Sequence, residues 1–312
     1  MGSNSHYFNH LFKMLFVYAL STVLTSGCMN LDPFLFKGEE LDRYNLDNFT
    51  ETAECSDALD TLEPVHAGMI HEVTLKSGGN EIAAVLIAKQ FPLAATDTMI
   101  LYLHGTSKHI DYYWPRTCLI AATGYPVMVI DYRGYGTSSG EPTEKGIYED
   151  GRAAQKYIRE KCGNPYLVVY AYSLGSLVGC EICSSDTSGT IVSLILEAPI
   201  SSIETLIQDA SYLTLPGSFI TSYKGENREK IKLITIPLLW LHGTSDMTLP
   251  YKHHGSMIYA NYHGKQGYYC LVEGAGHRTV PSTIGYHRYI EGITDFITGN
   301  ASDNPLFRTV LE

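Results

Sequence analysis

From Met69 onward the apolar positions fall into two kinds of run. In "MIHEVTLKSGGNEIAAVLIA", apolar and polar residues alternate on either side of Ser77-Gly78-Gly79-Asn80, which predicts a β-hairpin. Six shorter, nearly continuous apolar runs follow: "TMILYLHG", "PVMVIDYRG", "YLVVYAYS", "IVSLILEAP", "IPLLWLHG" and "GYYCLVEG". Runs of this kind fit strands buried on both faces of a parallel sheet. Helical spacing appears between them in "GIYEDGRAAQKYIREK" and "LGSLVGCEICSS", and again near the C-terminus around Ile284–Arg288. The pattern predicts one α/β domain over 67–299, with an antiparallel hairpin leading into a mostly parallel twisted sheet and helices on both faces.

Ligands on such sheets bind beyond the carboxyl ends of the strands. The polar residues at those ends are His104-Gly105-Thr106, Asp131–Gly134, Ser173, Glu197, Asp246 in "HGTSD" and His277 in "EGAGH". They include a hydroxyl, a carboxylate and an imidazole in the chain order Ser, Asp, His. That order and placement fit a serine on a sharp strand-to-helix turn with its acid and base partners. Such a turn is crowded, so its flanks must be small. Gly175 meets the requirement, and Ala171 stands where the G-x-S-x-G pattern has its first glycine. Taken alone, A-x-S-x-G also suits a serine that merely lets a helix pack closely; the other strand-end residues favour catalysis.

The six segments "LYLHGTS", "VIDYRGYGTSSGEPTEKGIYEDGRAA", "YAYSLGSL", "LEAPISS", "IPLLWLHGTSDMTLP" and "LVEGAGH" together resemble the α/β-hydrolase superfamily over roughly Gly68 to Gly299. The branch is that of small-capped serine hydrolases, the α/β-hydrolase-domain-containing proteins and serine-aminopeptidase-like lipases. The resemblance implies Ser173 as nucleophile, His277 as general base and Asp246 as the orienting carboxylate. It implies backbone amides of Leu174 and Thr106 as the oxyanion hole. Glu273 competes with Asp246 for the acid, and His253, His254 and His263 with His277 for the base. By the same resemblance Arg133 and Glu144 brace loops, while His104 and Asp131 are scaffold. The expected chemistry is hydrolysis of an acyl ester, thioester or amide through an acyl-enzyme, without cofactor or metal. The alternative is a non-catalytic tethered lipoprotein that uses the fold to bind a partner.

The chain of 312 residues is 45% hydrophobic, enough for a sizeable core. Its formal charge of -11 argues against a nucleic-acid partner, which would want a basic patch. Ahead of the domain, Lys13 precedes an uncharged run, Met14 to Gly27, too short to span a bilayer but suited to a signal-peptide core. The run ends in Ser26-Gly27-Cys28, which resembles a bacterial lipoprotein processing site. The expectation is therefore a signal peptide over 1–27, lipidation of Cys28, and an acidic tether and arm over 28–66. The protein would then sit at the bacterial cell envelope facing the periplasm, membrane-bound through its lipid; a secreted or periplasmic soluble form is the alternative. Residues 300–312 read as a tail.

Substrate is less legible. A cap can come only from 203–232, whose first half carries Leu206, Tyr212, Leu213, Leu215, Phe219 and Ile220. Together with Tyr112-Tyr113-Trp114, these residues could form walls for a neutral hydrophobic acyl substrate, or could simply be core. Cys180 and Cys183 form a C-x-x-C placed too far into its helix for a redox motif, which favours helix packing. In an oxidising periplasm the six cysteines after Cys28 could form disulfides, with no pairing readable from spacing.

Overall fold

The computed structural model describes residues 31–46, 54–210 and 221–309. Eight strands build the main sheet: β1 Ile70–Ser77, β2 Asn80–Ile87, β3 Thr98–Leu103, β4 Val127–Ile130, β5 Tyr166–Tyr172, β6 Ile191–Glu197, β7 Leu238–Gly243 and β8 Gly267–Val272. Across the sheet they run β8-β7-β6-β5-β3-β4-β2-β1. Antiparallel pairing is confined to β1–β2 and β2–β4; the remaining pairs are parallel. Ser77 pairs with Asn80, so the hairpin turns on Gly78 and Gly79 alone. Both have positive φ, 53° and 89°, the demand that a two-residue hairpin loop of this kind makes on its sequence.

Each central strand is apolar throughout because it feeds two cores. Met99, Leu101 and Leu103 of β3 face one, and Ile100 and Tyr102 face the other. In β5 the split is Leu167, Val169 and Ala171 against Val168, Tyr170 and Tyr172. The first core is covered by α2, Glu144–Lys161, and α3, Gly175–Ser184. Thr143 caps α2 by accepting from the Gly146 amide at 3.0 Å. The second core is covered by α1, Ile110–Ala121, and α5, Tyr286–Thr298.

Helix α1 has no counterpart in the helical spacing of the sequence. Its stretch "IDYYWPRTCLIA" has no polar face, contains Pro115, and is buried from Ile110 to Ile120. A helix buried on every side, with its polar residues turned inward as well, gives no amphipathic signal. Tyr112, Tyr113 and Trp114 belong to it, so they are core and not walls of an acyl site.

The segment ahead of the sheet packs on the domain where it is described. Leu31 and Phe36 enter the first core, and Cys55 and Ala58 the second. Lys37–Gly38 pair in parallel with Ser107–Lys108. The expected signal peptide and Cys28 lie outside the described residues. So does 211–220 of the expected cap; ahead of it, α4, Ile203–Ala210, buries Ile203 and Ile207 in the first core. At the other end Ala301 and Phe307 are buried and the Arg308 main chain pairs with Tyr269. The six described cysteines are free thiols, all buried, so no disulfide forms among the described residues. Burial pushes the Cys180 thiol up to about 12, as expected of packing rather than redox chemistry.

Candidate active site

The chain goes from β3 to β4 on one side and then crosses to β5 on the other, so the order of strand addition reverses between β3 and β5. A crevice opens at the carboxyl ends of strands at such a switch point. Thr106 and Ser173 follow those two strands.

Ser173 has φ of 51°, a strained backbone for a residue with a side chain. The turn is held by Ser173 N donating to the Glu197 carbonyl at 3.0 Å. Gly175 is required by space: a Cβ there would lie 2.0 Å from the Leu103 carbonyl oxygen. The alanine at 171 also finds its explanation. A Cβ on Gly179 would meet the Ala171 methyl at 2.7 Å, so the glycine one helical turn on vacates the room that Ala171 fills.

The three residues of the Ser-Asp-His series come together as a hydrogen-bonded chain. Ser173 Oγ lies 3.0 Å from His277 Nε2, and His277 Nδ1 lies 2.7 Å from Asp246 Oδ2. Asp246 Oδ1 accepts from the amides of Thr248 and Leu249, both at 2.8 Å. Its Oδ2 also faces His242 Nε2 at 3.2 Å. Trp240 Nε1 donates to His242 Nδ1 at 3.1 Å, which assigns the His242 proton to Nε2, where it reaches Leu249 O at 2.8 Å and Asp246.

Burial alone would push the Asp246 carboxyl up. The His277 charge and the hydrogen bonds from His242 and His277 outweigh it and hold the group well below the usual carboxylate range. The stabilisation this implies is complete above the unfolded value, roughly pH 4. It is lost as pH falls from there through the folded value.

The competing residues lie elsewhere. Glu273 is exposed, while His253 and His254 pair with Asp209. The two amides expected to face an oxyanion, Leu174 and Thr106, donate to no acceptor among the described residues. Thr106 is fixed by its other atoms: its hydroxyl donates to Leu35 O at 2.8 Å, and its carbonyl accepts from Lys37 N at 3.1 Å and Tyr135 Oη at 3.0 Å. Arg133 pairs with Asp150 at 2.8 Å. Glu144 accepts from the Lys224 and Gly225 amides, both at 2.7 Å, so it ties the far end of the cap segment to α2. His104 is buried against Asp131 at 2.9 Å. A cavity of about 330 Å³ lined by Tyr259, Tyr262 and Lys265 lies at the amino end of β8, the edge of the sheet away from this chemistry. No group of side chains suited to a metal ion occurs among the described residues.

This fold has known counterparts. Residues 94–227 match the family model described as serine aminopeptidase, S33, a stretch that contains Ser173 and stops short of Asp246 and His277. The chain is similar over 85% of its length to the Pyrococcus furiosus esterase Pf2001, with a TM-score of 0.61, 16% identity and 98% of that chain covered. The chain has the α/β-hydrolase fold. It is 27% identical over 187 residues to the uncharacterized protein YfhR of Escherichia coli K12, covering 58% of this chain and 64% of that one. It is 30% identical over 185 residues to the mouse lysophosphatidylserine lipase ABHD12, covering 54% of this chain and 46% of the lipase. The matched parts thus span under two thirds of these relatives.

Sequence reasoning missed the buried charges behind the site. Arg116 of α1 is fully buried, with Nη1 2.8 Å from Glu197 Oε1 and Nη2 3.1 Å from Glu54 Oε2. Tyr170 and Tyr289 donate to the other Glu197 oxygen. The signal was present: an arginine inside an apolar run must find a carboxylate when buried.

Proposed function

We propose that the protein is a serine hydrolase that cleaves carboxylic esters through an acyl-enzyme on Ser173. The observation that carries this reading is the hydrogen-bonded chain from Ser173 Oγ through His277 to Asp246, mounted on a strained turn at the sheet's switch point. His277 Nε2 takes the hydroxyl proton as Oγ bonds to the substrate carbonyl carbon. The carbonyl oxygen, now negative, faces the free amides of Leu174 and Thr106. The C–O bond to the leaving alcohol breaks, and His277 returns the proton to it. Water then repeats the sequence on the acyl-enzyme. Ester is favoured over thioester and amide by the names of the neighbours, an esterase and a lysophosphatidylserine lipase.

The acyl group is proposed to be neutral and hydrophobic. Support comes from the apolar composition of 206–220, part of which lies outside the described residues. A p-nitrophenyl ester series should show kcat/KM rising from acetyl toward longer chains. Turnover confined to amides or thioesters would refute the ester assignment.

We also propose that Cys28 is the lipidated N-terminus and that the enzyme works tethered at the periplasmic face of a bacterial membrane. Loss of 1–27 removes Lys13 and no acid, leaving the mature chain at -12, so attraction to anionic headgroups cannot hold it there. Processing of this type adds more than one acyl chain, which suits the rule that stable anchoring takes two signals. Cys28→Ser should give unprocessed or soluble protein whose purified domain is still active. Normally processed, membrane-bound Cys28→Ser protein would mean that the N-terminus is an ordinary anchor or signal.

A further inference from the structure

We propose that Glu54, which lies ahead of the sheet in sequence, is a positioning residue for both Ser173 and His277. This rests on the serine-hydrolase reading above. Glu54 is buried, and its two oxygens meet groups next to the reacting side chains. Oε1 lies 3.1 Å from the hydroxyl of Tyr172, the residue before Ser173, and 3.3 Å from Nε of Arg278, the residue after His277. Oε2 lies 3.1 Å from Nη2 of Arg116.

The links continue into the site. The Tyr172 hydroxyl is also 3.3 Å from the His277 carbonyl oxygen, and the two rings are 5.4 Å apart. The Arg116 guanidinium lies over the other part of this frame, 4.2 Å from the Tyr172 ring centroid, and its Nη2 reaches the Arg278 carbonyl at 3.4 Å. One carboxylate thus joins the strand end that carries Ser173 to the loop that carries His277. A buried carboxylate with two cationic partners is costly to arrange for packing alone, since apolar residues would fill the space as well.

Glu54 and Glu197 face Arg116 and Arg278. The other titratable groups around Glu54 are Cys55, Tyr102, Tyr112, Tyr113 and Tyr172, with Asp57 beside Cys55. Beyond Glu197 stand Tyr170 and Tyr289. On its opposite side His277 faces Asp246, with His242 behind. Glu54→Gln removes one negative charge beside the His277 loop, which disfavours the imidazolium. Arg278→Gln removes a positive charge there and acts in the opposite direction.

The test uses the full chain and p-nitrophenyl butyrate, with folding of each variant checked by thermal unfolding. Glu54→Gln should lower kcat roughly 10- to 100-fold with KM within about twofold, the size of effect expected from misplaced reacting groups. It should move the acid limb of kcat/KM to lower pH. Arg278→Gln, at a half-exposed side chain that does not empty the core, should move that limb to higher pH. The double variant should bring the limb back toward the wild-type position. Should Glu54→Gln fail to fold, the Arg278→Gln limb decides alone. Wild-type kcat and unshifted limbs in the folded variants would overturn the proposal while leaving the hydrolase reading intact. Absence of Ser173-dependent turnover in the wild type would overturn both.

Discussion

Replacing His277 with alanine should lower kcat for a short-chain ester by roughly 10⁴- to 10⁶-fold, with the fold intact and KM little changed. The His277 ring is the one base within reach of Ser173 Oγ, at 3.0 Å, among the described residues. Without it the hydroxyl has nothing to take its proton as it attacks, and the leaving alcohol has no acid to protonate it. What remains is binding and the two amides proposed for the oxyanion, worth roughly 10³–10⁴ over water in enzymes with such a triad. The ring is partly exposed, and its removal leaves no buried charge unpaired beyond Asp246, which keeps its two amide donors and His242. Steady-state kinetics beside a thermal melt checks this. Turnover within tenfold of wild type would remove His277 from the role of base.

Asp246→Asn should cost about 10⁴ in kcat, again with KM nearly unchanged. The geometry explains why so small a change is so damaging. The Oδ1 position accepts from two amides and must remain an oxygen. The new NH₂ group is then forced to the Oδ2 position, where it faces His277 Nδ1 and the protonated Nε2 of His242. His242 cannot yield, because Trp240 Nε1 occupies its other nitrogen. Relief comes only if His277 moves its proton from Nδ1 to Nε2. An Nε2 that already carries a proton cannot accept one from Ser173. Glu273→Gln, at an exposed side chain, should change kcat less than about threefold. A large effect of Glu273→Gln and a small one of Asp246→Asn would reverse the assignment of the acid.

Most of the sheet is legible in the sequence because a strand buried on two faces must be apolar at every position, and because two glycines must turn the hairpin. The site is legible for a related reason. Strand ends are where a parallel sheet exposes polar groups, so Ser173, Asp246 and His277 stand out against the apolar runs before them. What stays hidden depends on burial without periodicity. Helix α1 has no polar face to mark it, and its aromatic trio resembles pocket walls until Tyr113 and Trp114 are seen packed in the second core. The pairing of Arg116 with Glu54 and Glu197 joins residues 62 and 81 positions apart, and no local pattern encodes such a contact. The tolerance of Ala171 is likewise a property of a pair, because Gly179 makes it possible.

The claim that Ser173 is an activated nucleophile is tested most directly by intact-mass measurement after treatment with a fluorophosphonate. The wild-type chain should gain a single adduct, lost in Ser173→Ala, because the reagent reacts with serine hydroxyls whose proton a neighbouring base can take. A folded wild type that stays unlabelled, or Ser173→Ala labelled to the same extent, would contradict the account.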